Sequence, residues 1–287
     1  MLQRLSHVCL GSEDSEELTR FVDRSLGLRR ARHSNQQTNF VLEPHTLVLG
    51  IKQGGRDDIG LELGHESDLE KIASRIQAYG RTSKQLGKAE LLDSGARQGI
   101  EVEDPSGNRL LLLVGSQQTG RPCQSGQTHW LTHLCGVGLC CTALQDDVDF
   151  WTKVLDARVR DRVGDVTFLA IDDAHHRVAL YPSDRSGVLY TSFAIPNVDA
   201  LMRNYYILSD NKIDILQGPG KETVSGNLFI RFAGPDGQVF SLVKEESNID
   251  WENHEARCLP LAPLSFCELG APLERIPEFV RGMEKLK

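Results

Sequence analysis

The chain has 287 residues, of which 40% are hydrophobic and 25% charged, a balance typical of a globular protein large enough for two domains. Its formal net charge of −8 argues against binding to nucleic acid or to an anionic membrane surface, because both need a basic face. No apolar run of about 18 residues predicts a membrane span, and the first residues lack the apolar core of a secretory signal, so we expect a cytoplasmic protein.

An internal repeat begins near the N-terminus. Residues 5–9 (LSHVC) return at residues 131–135 as LTHLC. Each copy has the apolar character of a strand and precedes a helix pattern with one apolar face, over residues 15–26 in the first copy and 147–155 in the second. The repeat therefore predicts two halves with the same organisation.

Each half divides once more. Residues 59–63 read as a strand, and residues 67–70 (SDLE) have the capping-box pattern that starts a helix, which we expect to end at Gly80. In the second half, strand-like residues 192–195 precede a helix expected from residue 198 to about residue 207. Three strand candidates follow each helix, so the unit is a strand, a helix and three strands, present four times.

The two halves also end alike, since residues 104–109 (DPSGNR) and 234–238 (GPDGQ) each place a Pro-x-Gly turn before an apolar strand. We therefore predict an α+β fold of two domains, residues 1–116 and 129–245, each with two βαβββ modules that form a barrel-like sheet. A linker at 117–128, rich in Gln, Gly and Ser, joins them. We expect a tail at 246–287, with a helix over 272–285, to pack back on the domains.

This arrangement resembles the two-domain type I extradiol dioxygenases of the vicinal oxygen chelate superfamily, which also contains glyoxalases and bleomycin-resistance proteins. The resemblance covers about residues 1–245 and rests on Thr132-His133, on residues 174–179 (AHHRVA) and on the turn at 234–237 (GPDG). It implies a structural first domain and a second domain that holds Fe(II), or occasionally Mn(II), through two His and one Glu.

The metal positions implied by the resemblance are His133, Thr191 and Ser241. Thr191 stands fifteen residues after His176, and Ser241 stands six residues after the turn proline. Because neutral hydroxyls are poor substitutes for an imidazole and a carboxylate, we expect no metal and no other cofactor. The alternative is a shifted Fe(II) site formed by His133, His176 and Glu222.

The same comparison assigns the other functional side chains. His176 matches the acid/base residue of the family, Arg231 replaces a tyrosine that orients substrate, and His133 is retained, so these three are the predicted catalytic residues. The predicted substrate-binding residues are Tyr190, Thr191, Phe193, Glu222 and Ser241. On the residues alone, His133 is either a cavity-lining residue or a hydrogen-bonded core histidine.

Two side-chain orientations stay open. If His175 and His176 lie on a strand, one faces the interior and the other faces away, and the resemblance selects His176 as the inward residue. The alternative is that both histidines lie at the end of a turn. On the residues alone, Arg231 points either to solvent or to the interior, and the resemblance places it in the interior. An interior arginine requires an anionic partner, which Glu222 or a ligand oxygen would provide.

Three functions are compatible with these residues. The favoured one is an enzyme that acts on an aromatic or polyketide-type molecule of secondary metabolism, without a metal, by acid/base, pericyclic, cyclisation or isomerisation chemistry. The alternatives are an Fe(II)-dependent extradiol catechol dioxygenase with a shifted metal site and a non-catalytic binding or resistance protein. The expected partner is a small aromatic molecule, and the resemblance is compatible with a homo-oligomer.

Overall fold

The structure, a computed structural model, describes residues 1–31, 37–42, 46–116, 130–246, 253–270 and 272–283. The chain divides into two compact units, Met1–His129 with Gln145–Ala157, and Trp130–Leu144 with Arg158–Lys287. The linker predicted at 117–128 lies outside the described residues. Within those residues the cysteines are free thiols, and no helix has both the length and the apolar character needed to cross a membrane.

The first unit is built on a mixed sheet with eight strands in the described residues. The strands are β1 (Leu2–Ser12), β2 (Arg29–Arg30), β3 (Gln37–Leu42), β4 (Thr46–Gln53), β5 (Asp58–Leu63), β6 (Lys84–Gln85), β7 (Gln98–Glu103) and β8 (Arg109–Val114). The helices are α1 (Ser15–Ser25), α2 (Glu66–Ala78), α3 (Lys88–Ser94) and α4 (Leu144–Lys153), the last of which joins this unit from Gln145 onward.

The strand order of this sheet, β2-β3-β4-β1-β5-β8-β7-β6, brings two modules together at the centre. The first strands of the modules, β1 and β5, pair antiparallel, and each also pairs parallel with the last strand of its own module, β4 or β8. The predicted unit of a strand, a helix and three strands is confirmed, with α3 inserted between β6 and β7.

Two helices of this unit begin where a side chain accepts a hydrogen bond from a backbone N–H group that the helix leaves unpaired. The carboxylate of Asp14 accepts a hydrogen bond from the N–H of Glu17 at 2.9 Å and so caps α1. The capping box of α2 lies two residues before the predicted one, because the carboxylate of Asp68 accepts from the backbone N–H of His65 at 3.3 Å. His65, rather than Ser67, is therefore the residue that precedes the helix.

The second unit repeats the plan with a mixed sheet of nine strands in the described residues. The strands are β9 (His133–Cys141), β10 (Arg158–Val163), β11 (Val166–Ala170), β12 (Val178–Pro182), β13 (Gly187–Ala194), β14 (Ile215–Lys221), β15 (Leu228–Ala233), β16 (Val239–Lys244) and β17 (Arg257–Leu259). The helices are α5 (Val198–Asp210), α6 (Pro263–Phe266) and α7 (Pro277–Val280). Two mixed sheets with few helices confirm the predicted α+β class.

In this sheet the order is β14-β15-β16-β13-β9-β12-β11-β10-β17, so the module-opening strands β9 and β13 again meet at the centre. The tail supplies β17, which pairs parallel with β10. It also buries Phe266, Leu273, Ile276 and Phe279 in the core of the unit. The helix predicted over 272–285 is shorter, because Pro277 fits only the first turn of a helix and Gly282 takes a positive φ.

Candidate functional site

A small cavity lies on one face of the second sheet. Its polar lining comes from β13, β15 and the segments around His176 and Glu222, and its volume is about 20 Å³, which is room for about one water molecule. The cavity brings together four of the predicted residues: His176, Tyr190, Glu222 and Arg231. We refer to the sheet face that carries them as the cavity face.

The structure turns two other predicted residues away from the cavity. Thr191 and Phe193 are buried, but Tyr190 and Ser192 occupy the cavity face of β13, and adjacent strand residues point to opposite faces. Ser192 is a cavity-lining residue that was not predicted from the sequence. The alternation of side chains along a strand, counted from Tyr190, would have identified it.

Ser241 and His133 have different surroundings. Ser241 lies directly opposite Arg231 in the β15–β16 pair and so shares its face, and its buried hydroxyl has no hydrogen-bond partner among the described residues. His133 has a side chain that is 47% exposed. Its Nε2 lies 2.8 Å from Glu245, and its Nδ1 lies 3.0 Å from the Thr132 hydroxyl.

Arg231 points into the interior of the unit and is only 4% exposed. Its Nη1 donates to Gln217 Oε1 at 2.7 Å, and its Nη2 lies 3.4 Å from Glu222 Oε1. The guanidinium carbon also stands 4.0 Å from the ring centre of Phe229 and 5.0 Å from that of Tyr190. Of the two orientations open in the sequence, the structure shows the interior one, with Glu222 as the anionic partner.

His176 and Glu222 face each other across the cavity, with Nε2 and Oε2 separated by 3.9 Å. Burial lowers the pKa of His176 to about 4, although the carboxylate of Glu222 acts in the opposite direction. Burial would raise the pKa of Glu222, but His176 and Arg231 together hold it below its ordinary value. The site thus contains a neutral imidazole beside a carboxylate and a guanidinium.

Of the two arrangements open in the sequence, the structure shows the two histidines in the turn before β12 rather than on the strand, with His176 lining the cavity. His175 is 3% exposed. Its Nδ1 lies 2.9 Å from Nδ1 of His176, and its Nε2 lies 3.0 Å from Oδ2 of Asp161 on β10. His176 is therefore connected to a buried carboxylate through a second imidazole.

The residues at the implied metal positions do not fit a divalent ion. Thr191 lies on the other face of its strand, Ser241 offers a neutral hydroxyl, and both ring nitrogens of His133 have other partners. The alternative set of His133, His176 and Glu222 is not assembled.

One other group of side chains has ligand atoms of a type that binds divalent metal ions. Among the described residues, Asp161, His175 and His254 place their ligand atoms within 4.8 Å of one another. However, the Asp161 carboxylate already accepts from the backbone N–H of Arg257 at 2.8 Å and from its guanidinium. The arginine thus supplies the positive charge that this carboxylate requires.

Known proteins share this architecture. Residues 130–242 match the family described as the Glyoxalase/Bleomycin resistance protein/Dioxygenase superfamily. A 3-methylcatechol 2,3-dioxygenase of Pseudomonas putida is 27% identical over 197 residues, which cover 62% of this chain and 67% of that relative.

Two solved structures show the extent of the shared fold. A Mn(II)-bound glyoxalase from Novosphingobium aromaticivorans matches 94% of this chain and 91% of its own, with a TM-score of 0.82 at 22% identity. A homoprotocatechuate 2,3-dioxygenase from Arthrobacter globiformis matches 97% and 90%, with a TM-score of 0.81 at 15% identity. At these identities the similarity is one of fold.

Proposed function

Because residues 130–242 of this chain match the Glyoxalase/Bleomycin resistance protein/Dioxygenase superfamily and the chain has an extradiol-dioxygenase-like fold, we propose that its second unit is a metal-independent acid/base enzyme acting on a small aromatic molecule. In this proposal His176 accepts a proton from the substrate. Arg231 stabilises the negative charge that then develops on a substrate oxygen. Glu222 stabilises the imidazolium of His176 once it forms.

The observation that carries the proposal is the unused donor capacity around Arg231. Its Nε, and the side-chain N–H groups of Gln217, are buried and have no acceptor among the described residues. A buried donor without an acceptor costs about 1–3 kcal/mol. A carbonyl, phenolate or enolate oxygen that accepts from these groups would remove that cost and would gain stability as its negative charge grows.

The protonation state of His176 agrees with a role as base. Burial lowers the pKa of this imidazole to about 4, so it is neutral at pH 7 and carries a lone pair. Glu222 raises the same pKa. This interaction favours the charged form when the proton arrives, because the carboxylate and the imidazolium then attract each other.

The aromatic surroundings of Arg231 support the substrate class. Phe279 of the tail stacks on Tyr181 with ring centres 4.9 Å apart, and it lies 5.1 Å from the guanidinium carbon of Arg231. Phe266 also stacks on Phe279, with ring centres 5.7 Å apart. An aromatic substrate that takes this place would keep the stacking and the cation–π contact. Since the cavity has a volume of only about 20 Å³, an aromatic substrate fits only if neighbouring side chains move.

The test is proton exchange, which needs no knowledge of the final product. The full chain, stripped with a chelator and checked by elemental analysis, is incubated in D₂O with a panel of hydroxy-aromatic and aryl 1,3-dicarbonyl compounds. We expect ¹H NMR to show catalysed loss of an acidic C–H signal. His176→Asn should slow this exchange by about 10²–10⁴-fold, and Arg231→Gln by about 10²–10³-fold.

His7→Asn is the matched control, since His7 is also a buried histidine whose pKa burial lowers to about 4, but it lies in the first unit. It should leave the exchange rate unchanged. Ring-cleavage product from a simple catechol, together with stoichiometric Fe(II), would replace this proposal with the dioxygenase alternative. Tight binding of an aromatic compound without any exchange would instead indicate a binding protein.

A further inference from the structure

Three side chains form a continuous path from β10 to the cavity. The Asp161 carboxylate lies 3.0 Å from Nε2 of His175. Nδ1 of His175 lies 2.9 Å from Nδ1 of His176, and Nε2 of His176 faces the cavity 3.9 Å from Glu222. The side-chain exposures of Asp161, His175 and His176 are 0%, 2% and 10%, so water competes little for these contacts.

The acceptor at the start of the path determines where the protons lie. Burial would raise the pKa of Asp161, but hydrogen bonds from His175, Arg257 and His254 hold it well below its ordinary value. The ionised carboxylate only accepts, so Nε2 of His175 must donate to it. If the ring of His175 carries a single proton, that proton lies on Nε2, and Nδ1 of His175 is then an acceptor.

The second contact then determines the form of His176. Because Nδ1 of His175 accepts, Nδ1 of His176 must carry the proton that forms the 2.9 Å hydrogen bond. Nε2 of His176 is left with a lone pair directed at the cavity. Without this path, the ring could equally place its proton on Nε2, on the side of Glu222, and the imidazole would then not be a base toward the cavity.

We propose that Asp161 and His175 are positioning residues that hold His176 in the Nδ1–H form and so present its Nε2 to the cavity as a base. The catalytic consequence rests on the proposed function, whereas the tautomer itself does not. His254 provides an internal comparison, because its Nε2 bonds the other oxygen of Asp161 at 2.9 Å without forming part of the path to His176.

The direct test is the ¹⁵N spectrum of the histidine rings in the full chain. A ring nitrogen without a proton resonates far downfield of a protonated one, and long-range ¹H–¹⁵N correlations identify which nitrogen is which. The chain has nine histidines, so the signals of His175 and His176 are assigned from the variants His175→Asn and His176→Asn. We expect His176 to be protonated at Nδ1 and His175 at Nε2 at pH 7.5.

Asp161→Asn should reverse both rings. The backbone N–H of Arg257 and Nε2 of His254 donate to Oδ1, whereas the guanidinium of Arg257 donates to both oxygens of Asp161. The backbone donor cannot rotate and the guanidinium can, so the amide keeps its oxygen on the Oδ1 side and turns its NH₂ toward His175, from which the guanidinium must move away. His175 then accepts at Nε2 and carries its proton on Nδ1, which moves the proton of His176 to Nε2. His254→Ala, the control, should leave both tautomers unchanged.

Several outcomes would overturn the inference. Protonation of His176 at Nε2 in the unsubstituted chain would by itself refute the proposal. This measurement can be made even if the Asp161→Asn variant does not fold. A change in His254→Ala as large as that in Asp161→Asn would assign the effect to general loosening of the tail. A metal held by Asp161, His175 and His254 would also place the proton of His176 on Nε2, and a chelator would then reverse it.

The spectra separate this inference from the proposed function. The expected tautomers without proton exchange on any compound would support the positioning role of Asp161 and His175 and would refute the proposed enzymatic function. Proton exchange together with the opposite tautomers would support the enzymatic function and refute the positioning role. If both hold, Asp161→Asn should lower kcat by about 10²–10⁴-fold with little change in KM, because it removes the base form without removing substrate contacts.

Discussion

The substitution Glu222→Gln leaves the buried guanidinium of Arg231 without the carboxylate that lies 3.4 Å from it. The side chains are 5% and 8% exposed, so water cannot replace the lost partner. At 3.4 Å and an effective dielectric constant of about 20, the attraction is about 5 kcal/mol. Removing one member of a buried pair typically costs about 3–5 kcal/mol, and we expect a loss of that size.

Urea unfolding of the full chain, followed by circular dichroism, measures this loss. Arg231→Met should cost a similar amount because it strands the carboxylate. The double variant should be more stable than the sum of the single changes predicts, by about 3 kcal/mol. Asp156→Asn, which breaks an exposed pair with Arg75 at 3.0 Å, is the control and should cost less than about 1 kcal/mol. Additive single changes at the buried pair would refute the reasoning.

Three further predictions concern stability. Burial lowers the pKa of His176 to about 4 from an ordinary 6.5, so the unfolded chain binds more protons between these values and the free energy of unfolding falls as pH drops through this range. His176→Asn should remove about 3 kcal/mol of that fall, measured by urea unfolding at successive pH values. An unchanged dependence of the unfolding free energy on pH would contradict this. Thr191→Val should stabilise by about 1 kcal/mol because the buried hydroxyl has no partner among the described residues, whereas Thr167→Val, whose hydroxyl bonds the Asp165 carbonyl at 3.2 Å, should destabilise. Burial and the neighbouring Asp147 raise the pKa of Asp104 to about 7, so the folded state loses stability as pH rises from about 4 through 7. The Asp104→Asn variant should therefore have a higher melting temperature than the unsubstituted protein at pH 8 but not at pH 4.5.

The sequence by itself determined the module plan. Apolar periodicity changes between strand and helix every few residues, and each of these signals is local, so residues 5–9 and 131–135 identify the strands that open the two halves. The positions of β1 and β9 and of the helices that follow agree with that reading. The resemblance built on these motifs also placed Arg231 in the interior, and the cost of burying a charge required an anionic partner, either Glu222 or a ligand oxygen; in the structure Glu222 lies 3.4 Å from it.

The tertiary structure decided which side chains meet. Counting along the chain selected Thr191, but the pairing of β13 with its neighbours turns Ser192 to the cavity, because a shift of one residue exchanges the two faces of a strand. The contact between Asp161 and His175 joins residues from β10 and from the turn before β12. Phe279 reaches Tyr181 from the far end of the chain. Such contacts depend on how strands and tail pack together, and no local pattern of residues encodes them.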